Sequence, residues 1–212
     1  LQPLFFLHVG DFHYEDIDEN EPDLFRQAFD DVLDSASQSA LYREVPIVYI
    51  WDDHDFGPDD ADAQAPGREA ALEVYQEYVP HYPLQPPSGR LQTIQQSFTV
   101  GRVRFILTDL RAAKDPVEWP DGPEKSMLGL EQREWLFSEL EAAARNQILT
   151  VWMSTVPWIT RDARGSDIGW EPFDYERRLI AEKIAELGLM RRLLMLSGDA
   201  HMVAIDDGGK ST

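Results

Sequence analysis

Short apolar runs that end abruptly in polar or acidic residues set the rhythm of this chain. Leu4 to Val9 is apolar except for His8 and ends in Gly10-Asp11-Phe12-His13-Tyr14. Ile47 to Trp51 is unbroken and ends in Asp52-Asp53-His54-Asp55, with Pro46 before the run and Gly57 after it. Runs of this length, rich in β-branched and aromatic side chains, predict strands covered on both faces, as in a parallel sheet flanked by helices. The same alternation recurs further on. Val103 to Leu107 leads to Thr108-Asp109-Leu110-Arg111, Ile148 to Met153 to Ser154-Thr155, and Leu193 to Leu196 to Ser197-Gly198-Asp199-Ala200-His201. Ile94 to Val100 and Val103 to Leu107 flank Gly101-Arg102, which predicts a β-hairpin. Val203 to Thr212 reads as the start of one more strand.

Helical periodicity fills the intervals. A polar lead-in from Glu19 to Asp23, with Pro22 in the first turn, predicts a helix whose core stripe is Leu24, Phe25, Ala28, Phe29, Val32 and Leu33. Arg68 to Val79, Leu130 to Ala144 and roughly Phe173 to Leu187 supply further helices, the first stopped by Pro80 and the last closed by Gly188. The connections are rich in Gly, Pro and charge: Phe56 to Gly67 beside the acidic cluster, Pro86 to Gly89 as a surface link, and Thr160 to Pro172 carrying Trp170. Ala112 to Met127, with Trp119, has the length of a functional lid. Strands alternating with helices place the chain in the α/β class.

Composition narrows the function. At 212 residues and 43% hydrophobic, the chain fits one domain, 1–212, with a sizeable core. No apolar run is long enough to span a bilayer, and no cleavable leader is visible. Leu1 is not a start methionine and Leu4 already reads as core strand, so the chain is expected to begin inside its fold. Localisation, exported or cytoplasmic, and oligomeric state stay open. With no cysteine, metal ligands must be oxygen or imidazole. A formal charge of −20 repels nucleic acid and anionic lipid, so no nucleic-acid coating is expected.

The acids gathered at Asp52, Asp53 and Asp55 are costly to desolvate, and no Lys or Arg lies near them in sequence. A bound metal would supply the missing charge; an acidic turn capping the next element is the plainer alternative. Asp199 and His201 form a two-ligand pair if their backbone is extended, because side chains two apart then point the same way. His8 reads as a core residue and His13 as undecided. Asp59, Asp60 and Asp62 read as solvated. Arg111 is either an anion ligand or a salt-bridge partner of Asp109 or Asp115.

Taken together, Gly10-Asp11-x-x-Tyr14-x-Asp16, Trp51-Asp52-Asp53-His54-Asp55, Asp109-x-Arg111, Met127-Leu128-Gly129-x-x-Gln132-x-x-Trp135-Leu136 and Ser197-Gly198-Asp199-x-His201 resemble the PhoD-like (alkaline phosphatase D) branch of the calcineurin-like metallophosphoesterases. The motifs stand in the family's order and cover nearly the whole chain. The resemblance implies an αββα sandwich with a dinuclear metal centre that hydrolyses small phosphate esters, monoester or diester. Asp11 would bridge the metals, Tyr14 and His201 would bind the first ion, and Asp53 and Asp199 the second. His54 would be the catalytic histidine that is not a ligand, and Arg111 would help hold phosphate. The implied cofactors are two divalent or trivalent ions. A tyrosinate ligand, from a group ionising near about pH 10, favours Fe(III) in company with Ca, Zn or Mn.

This sequence departs from the family pattern in three places. The strand that precedes Gly-Asp, with its ligand, is absent, as is the segment after Ser-Gly-Asp-x-His. The fold is therefore expected to lack its first strand and its C-terminal strands. Thr155 stands where the superfamily has a histidine. These departures support a rival reading, a non-catalytic metal-binding or interaction domain that keeps the fold with an incomplete site.

Overall fold

The computed structural model describes residues 2–85, 92–159 and 169–208. Strand β1 (Phe6–Val9) is followed by helices α1 (Pro22–Asp34) and α2 (Ala36–Glu44) and then by strand β2 (Ile47–Ile50). β1 and β2 pair in parallel, Phe6 opposite Ile47 and Val9 opposite Ile50. Next come the single turn α3 (Asp53–Phe56), helix α4 (Arg68–Tyr78) and the hairpin of β3 (Gln96–Val100) with β4 (Val103–Leu107). Helix α5 (Gly129–Asn146), strand β5 (Leu149–Met153), helix α6 (Asp174–Glu186) and strand β6 (Leu193–Leu196) complete the described elements. β3 to β6 form one sheet in chain order, antiparallel at the hairpin and parallel thereafter. Gly101, at φ +59°, supplies the positive φ that the hairpin turn requires.

Strand alternation sorts the side chains into two cores. Leu107 and Met153 join Tyr49, Trp51, Phe25, Phe29, Val74 and Tyr75 in one, whereas Ile106 and Trp152 join Leu136, Leu140, Phe173 and Ile180 in the other. Within the first core, Tyr49 turns toward Phe29 and Tyr75, while Phe5 meets Phe98 and Phe105 of the larger sheet edge-on. Helices α1 and α4 thus cover one face of the β1–β2 pair and the larger sheet covers the other. Helices α5 and α6 cover the far side of that sheet. This is the αββα layering that the resemblance implied.

Several expectations are corrected. Leu24 is exposed, so the buried stripe of α1 is Phe25, Ala28 and Phe29. Residues 203–208 form no strand, and Val203 and Ile205 lie almost wholly in solvent; residues 209–212 lie outside the described part. Likewise the expected Pro86 to Gly89 link and most of the Thr160 to Pro172 loop fall outside it. The segment from Ala112 to Met127 is pinned and is no free lid: Glu176 accepts hydrogen bonds from Ser126 Oγ, Met127 N and Leu128 N, and Lys125 Nζ donates to the carbonyls of Val117 and Trp119. His8 packs half-buried against Phe12 and Tyr49, and burial lowers its pKa to about 4, keeping it neutral. No helix among the described residues is long and apolar enough to cross a membrane.

Candidate metal centre

Two glycines let three strand ends meet. At Gly10, φ is +83° and a side chain would overlap the Cβ of Asp52, so the ends of β1 and β2 touch there. At Gly198, beyond β6, a Cβ would lie 2.7 Å from the Val9 carbonyl oxygen, and the Gly198 N–H donates to Thr155 O over 2.7 Å. Asp11, Asp199 and His201 themselves have positive φ values of 54°, 63° and 49°. The extended backbone assumed for Asp199 and His201 is therefore wrong; a left-handed turn carries them.

From β1, the Tyr14 hydroxyl donates to Asp11 Oδ2 over 3.0 Å and lies 3.3 Å from His201 Nε2. Burial, then the hydrogen bond to Asp11, pushes its ionisation well above the usual tyrosine range, so the phenol is a donor here. Three carboxylates then share one arrangement: one oxygen is held and the other is left without a hydrogen bond. Asp11 Oδ1 has none while Oδ2 accepts from the Tyr14 hydroxyl. Asp52 Oδ1 accepts from Arg111 Nε at 2.5 Å and from Thr155 Oγ1 at 2.8 Å, while Oδ2 has none. Asp53 Oδ2 accepts from the Asp60 N–H at 2.7 Å, and Oδ1 is left with a 3.4 Å ion pair to Arg111 Nη2.

Asp11, Asp52 and Asp53 each bring one oxygen to within 4.8 Å of the others, and Asp53, His54 and Asp59 form a second such group. Buried carboxylate oxygens without donors are expensive. The same burial raises the pKa of Asp11 and Asp52, and burial with the neighbouring Asp52 charge pushes that of Asp199 up to about 7. Asp53 alone of the four is lowered, because Arg111, the Asp60 N–H and His54 outweigh its burial. An oxygen-rich donor set of this kind suits hard cations, with the phenol and imidazole of Tyr14 and His201 adding donors for a transition metal.

His54 stands at the rim with its ring 4.5 Å from that of Tyr14. Its Nδ1 lies 2.5 Å from Asp16 Oδ1 and its Nε2 lies 3.7 Å from Asp59 Oδ1. Burial alone would lower its pKa, but Asp16, Asp53 and Asp11 raise it above the ordinary value. Asp55 serves the plainer role of a turn-forming residue, accepting from the N–H groups of Phe12, His13 and Asp52 and so tying the end of β1 to the end of β2. Asp109 is likewise structural, accepting from Trp51 Nε1 and from the N–H groups of Ile94, Arg111 and Ala112.

Arg111, which the resemblance gave a part in holding phosphate, lies buried behind the acidic cluster. It is 1% exposed and its guanidinium is directed at Asp52, Asp53 and the Ala61 carbonyl, with neither Asp109 nor Asp115 as its ion-pair partner. The charge that the acidic cluster lacked in sequence thus comes partly from the end of β4. His13 is buried with both ring nitrogens unpartnered and packs on Phe25 and Phe29. Asp16 and Asp52 stand in the family motifs with no role of their own assigned, and Asp59 reads as solvated from sequence. The adjacent acids Asp52 and Asp53 were the one available signal for the second of these.

A family model for PhoD-like phosphatase matches residues 2–208. Alkaline phosphatase D of Bacillus subtilis (strain 168) is 26% identical over 192 residues, covering 78% of this chain and 33% of that protein. A solved structure described as the structure of PhoD superposes with a TM-score of 0.77 at 22% identity, covering 92% of this chain and 45% of that one. The chain therefore spans less than half the length of either relative.

Proposed function

The chain belongs to the PhoD-like phosphatase family, and on that footing we propose that it hydrolyses phosphoric esters at a metal centre formed by the ends of β1, β2 and β6. The observation that carries this reading is that Asp11, Asp52 and Asp53 bring carboxylate oxygens to within 4.8 Å of one another, and that each of the three has one buried oxygen without a hydrogen bond. Asp11, Tyr14 and His201 would hold one ion and Asp11, Asp53 and Asp199 a second, with Asp52 adding its free oxygen beside Asp11 and Asp53. Iron with calcium, zinc or manganese matches these donors. Such ions supply a nucleophile at neutral pH and neutralise phosphoryl oxygens.

The chain's own residues supply the rest. The Tyr14 hydroxyl orients Asp11 and His201 together. Asp16 accepts a hydrogen bond from the Nδ1–H of His54, fixing the ring and favouring its charged form, so that Nε2 can give its proton to the departing ester oxygen. In a protein of charge −20, the buried cations near the site and any bound metal are what admit an anionic ester. Whether the substrate is a monoester or a diester depends on how much room surrounds the second phosphate substituent. Equilibrium dialysis against Fe, Ca, Zn and Mn, followed by metal analysis, is expected to give two ions per chain. A chain that retains none contradicts the reading.

A further inference from the structure

Two buried cations lie behind the acidic cluster, on the segment that follows β4. Arg111 is 1% exposed and Lys114 is 3% exposed. Arg111 reaches three separate points: Nε to Asp52 Oδ1 at 2.5 Å, Nη2 to Asp53 Oδ1 at 3.4 Å, and Nη1 to the Ala61 carbonyl at 3.4 Å. Lys114 Nζ donates to the Asp60 carbonyl at 3.0 Å, and its own carbonyl accepts from Ala63 N at 3.0 Å. The Asp60 N–H in turn holds Asp53 Oδ2. The contacts close a circuit from the end of β4, through the loop at 60–63, to the two acids at the end of β2. Asp59, which shares the second donor group with Asp53 and His54, projects from that same loop. Asp109 fixes the base of the segment through its four donors.

We propose that Arg111 and Lys114 are positioning residues for the metal centre, a buried cationic clamp that holds the Asp52 and Asp53 carboxylates and the 59–61 loop in the arrangement that lets carboxylate oxygens converge. Arg111 then acts through the carboxylates and does not touch phosphate. The clamp rests on the metal-centre reading, and the sign of one effect separates the two. Removing a positive charge beside a cation site tightens cation binding by Coulomb attraction when nothing moves. Removing a support lets the carboxylates spread, and lost supporting hydrogen bonds weaken metal binding by about 10–100-fold.

The test is Mn²⁺ titration of the full chain by calorimetry, with Lys114→Met and Arg111→Lys. Lys114→Met removes a charge without touching any carboxylate, and its similar volume preserves the packing. Arg111→Lys keeps the charge but loses the fork that spans three partners. Both variants are expected to bind Mn²⁺ at least about tenfold more weakly, with faster amide exchange at residues 59–63. At saturating Mn²⁺ the inhibition constant for inorganic phosphate should not change in Arg111→Lys. Unchanged or tighter Mn²⁺ binding in a folded Lys114→Met protein overturns the clamp, as does a raised phosphate constant at unaltered Mn²⁺ affinity in Arg111→Lys. Should Arg111→Lys not fold, Lys114→Met decides. A wild-type chain that binds no Mn²⁺ overturns the metal-centre reading and the clamp with it, an outcome distinct from the others.

Discussion

Asp11→Asn is expected to weaken both cation sites at once, each by at least the roughly 10–100-fold that loss of a supporting group costs, because Asp11 is itself a donor. Its two oxygens face different neighbours, Oδ2 the Tyr14 hydroxyl and Oδ1 nothing. An asparagine has one oxygen and no charge, so it cannot serve two ions. Asp53→Asn makes the informative comparison. Asp53 Oδ2 is occupied by the Asp60 N–H, so the single oxygen of an asparagine must satisfy either that N–H or the site. The expected cost is confined to one ion and is smaller. Metal analysis after dialysis reads both; equal losses in the two variants would count against a shared carboxylate at position 11.

The second large effect is on turnover. His54→Ala should fold and keep its metals while losing about 10²–10⁴ in rate toward an ester with a poor leaving group, the usual range for general acid catalysis. A nitrophenyl ester, whose leaving group needs little protonation, should lose less. The structure adds a pH dependence. Asp16, Asp53 and Asp11 hold the His54 pKa above 6.5 against the effect of burial, so the acid form persists above that pH and activity falls as pH rises through the raised value. Asp16→Asn removes the negative charge that lies 2.5 Å from Nδ1 and should move this alkaline limb to lower pH. Metal loss in His54→Ala would make His54 a ligand, in line with its grouping with Asp53 and Asp59. Full activity toward both esters would make it merely an imidazolium held by acids.

What was legible in sequence was local. The strands announce themselves by apolar runs, whose ends carry Asp11, Tyr14, Asp53 and His201, and it was the resemblance to a family that gave these four residues their proposed roles. Long-range pairing could not be read in this way. The counter-charge for Asp52 comes from Arg111, 59 positions away, and Thr155 reaches the same oxygen from 103 positions away. Thr155, which stands where the superfamily has a histidine, donates to Asp52 Oδ1. The segment from Ala112 to Met127 has a lid's composition, but Glu176, 49 positions beyond Met127, fastens it. Helix α2 went unseen because it buries no residue and so shows no apolar stripe. Asp199 and His201 adopt left-handed backbone, a conformation that Asp and His take more often than most residues but still as a small minority, so extended backbone was the expectation from sequence.

The central claim is that this set of residues hydrolyses phosphoric esters only when its carboxylates hold metal. The most direct measurement strips the purified chain with a chelator, then returns iron together with calcium, zinc or manganese while following the hydrolysis of nitrophenyl phosphate and bis-nitrophenyl phosphate. The account predicts that turnover disappears on chelation and returns in proportion to metal bound, saturating at two ions per chain. Saturable metal binding without turnover of either ester would contradict it, and would leave a metal-binding domain that keeps the fold without the chemistry.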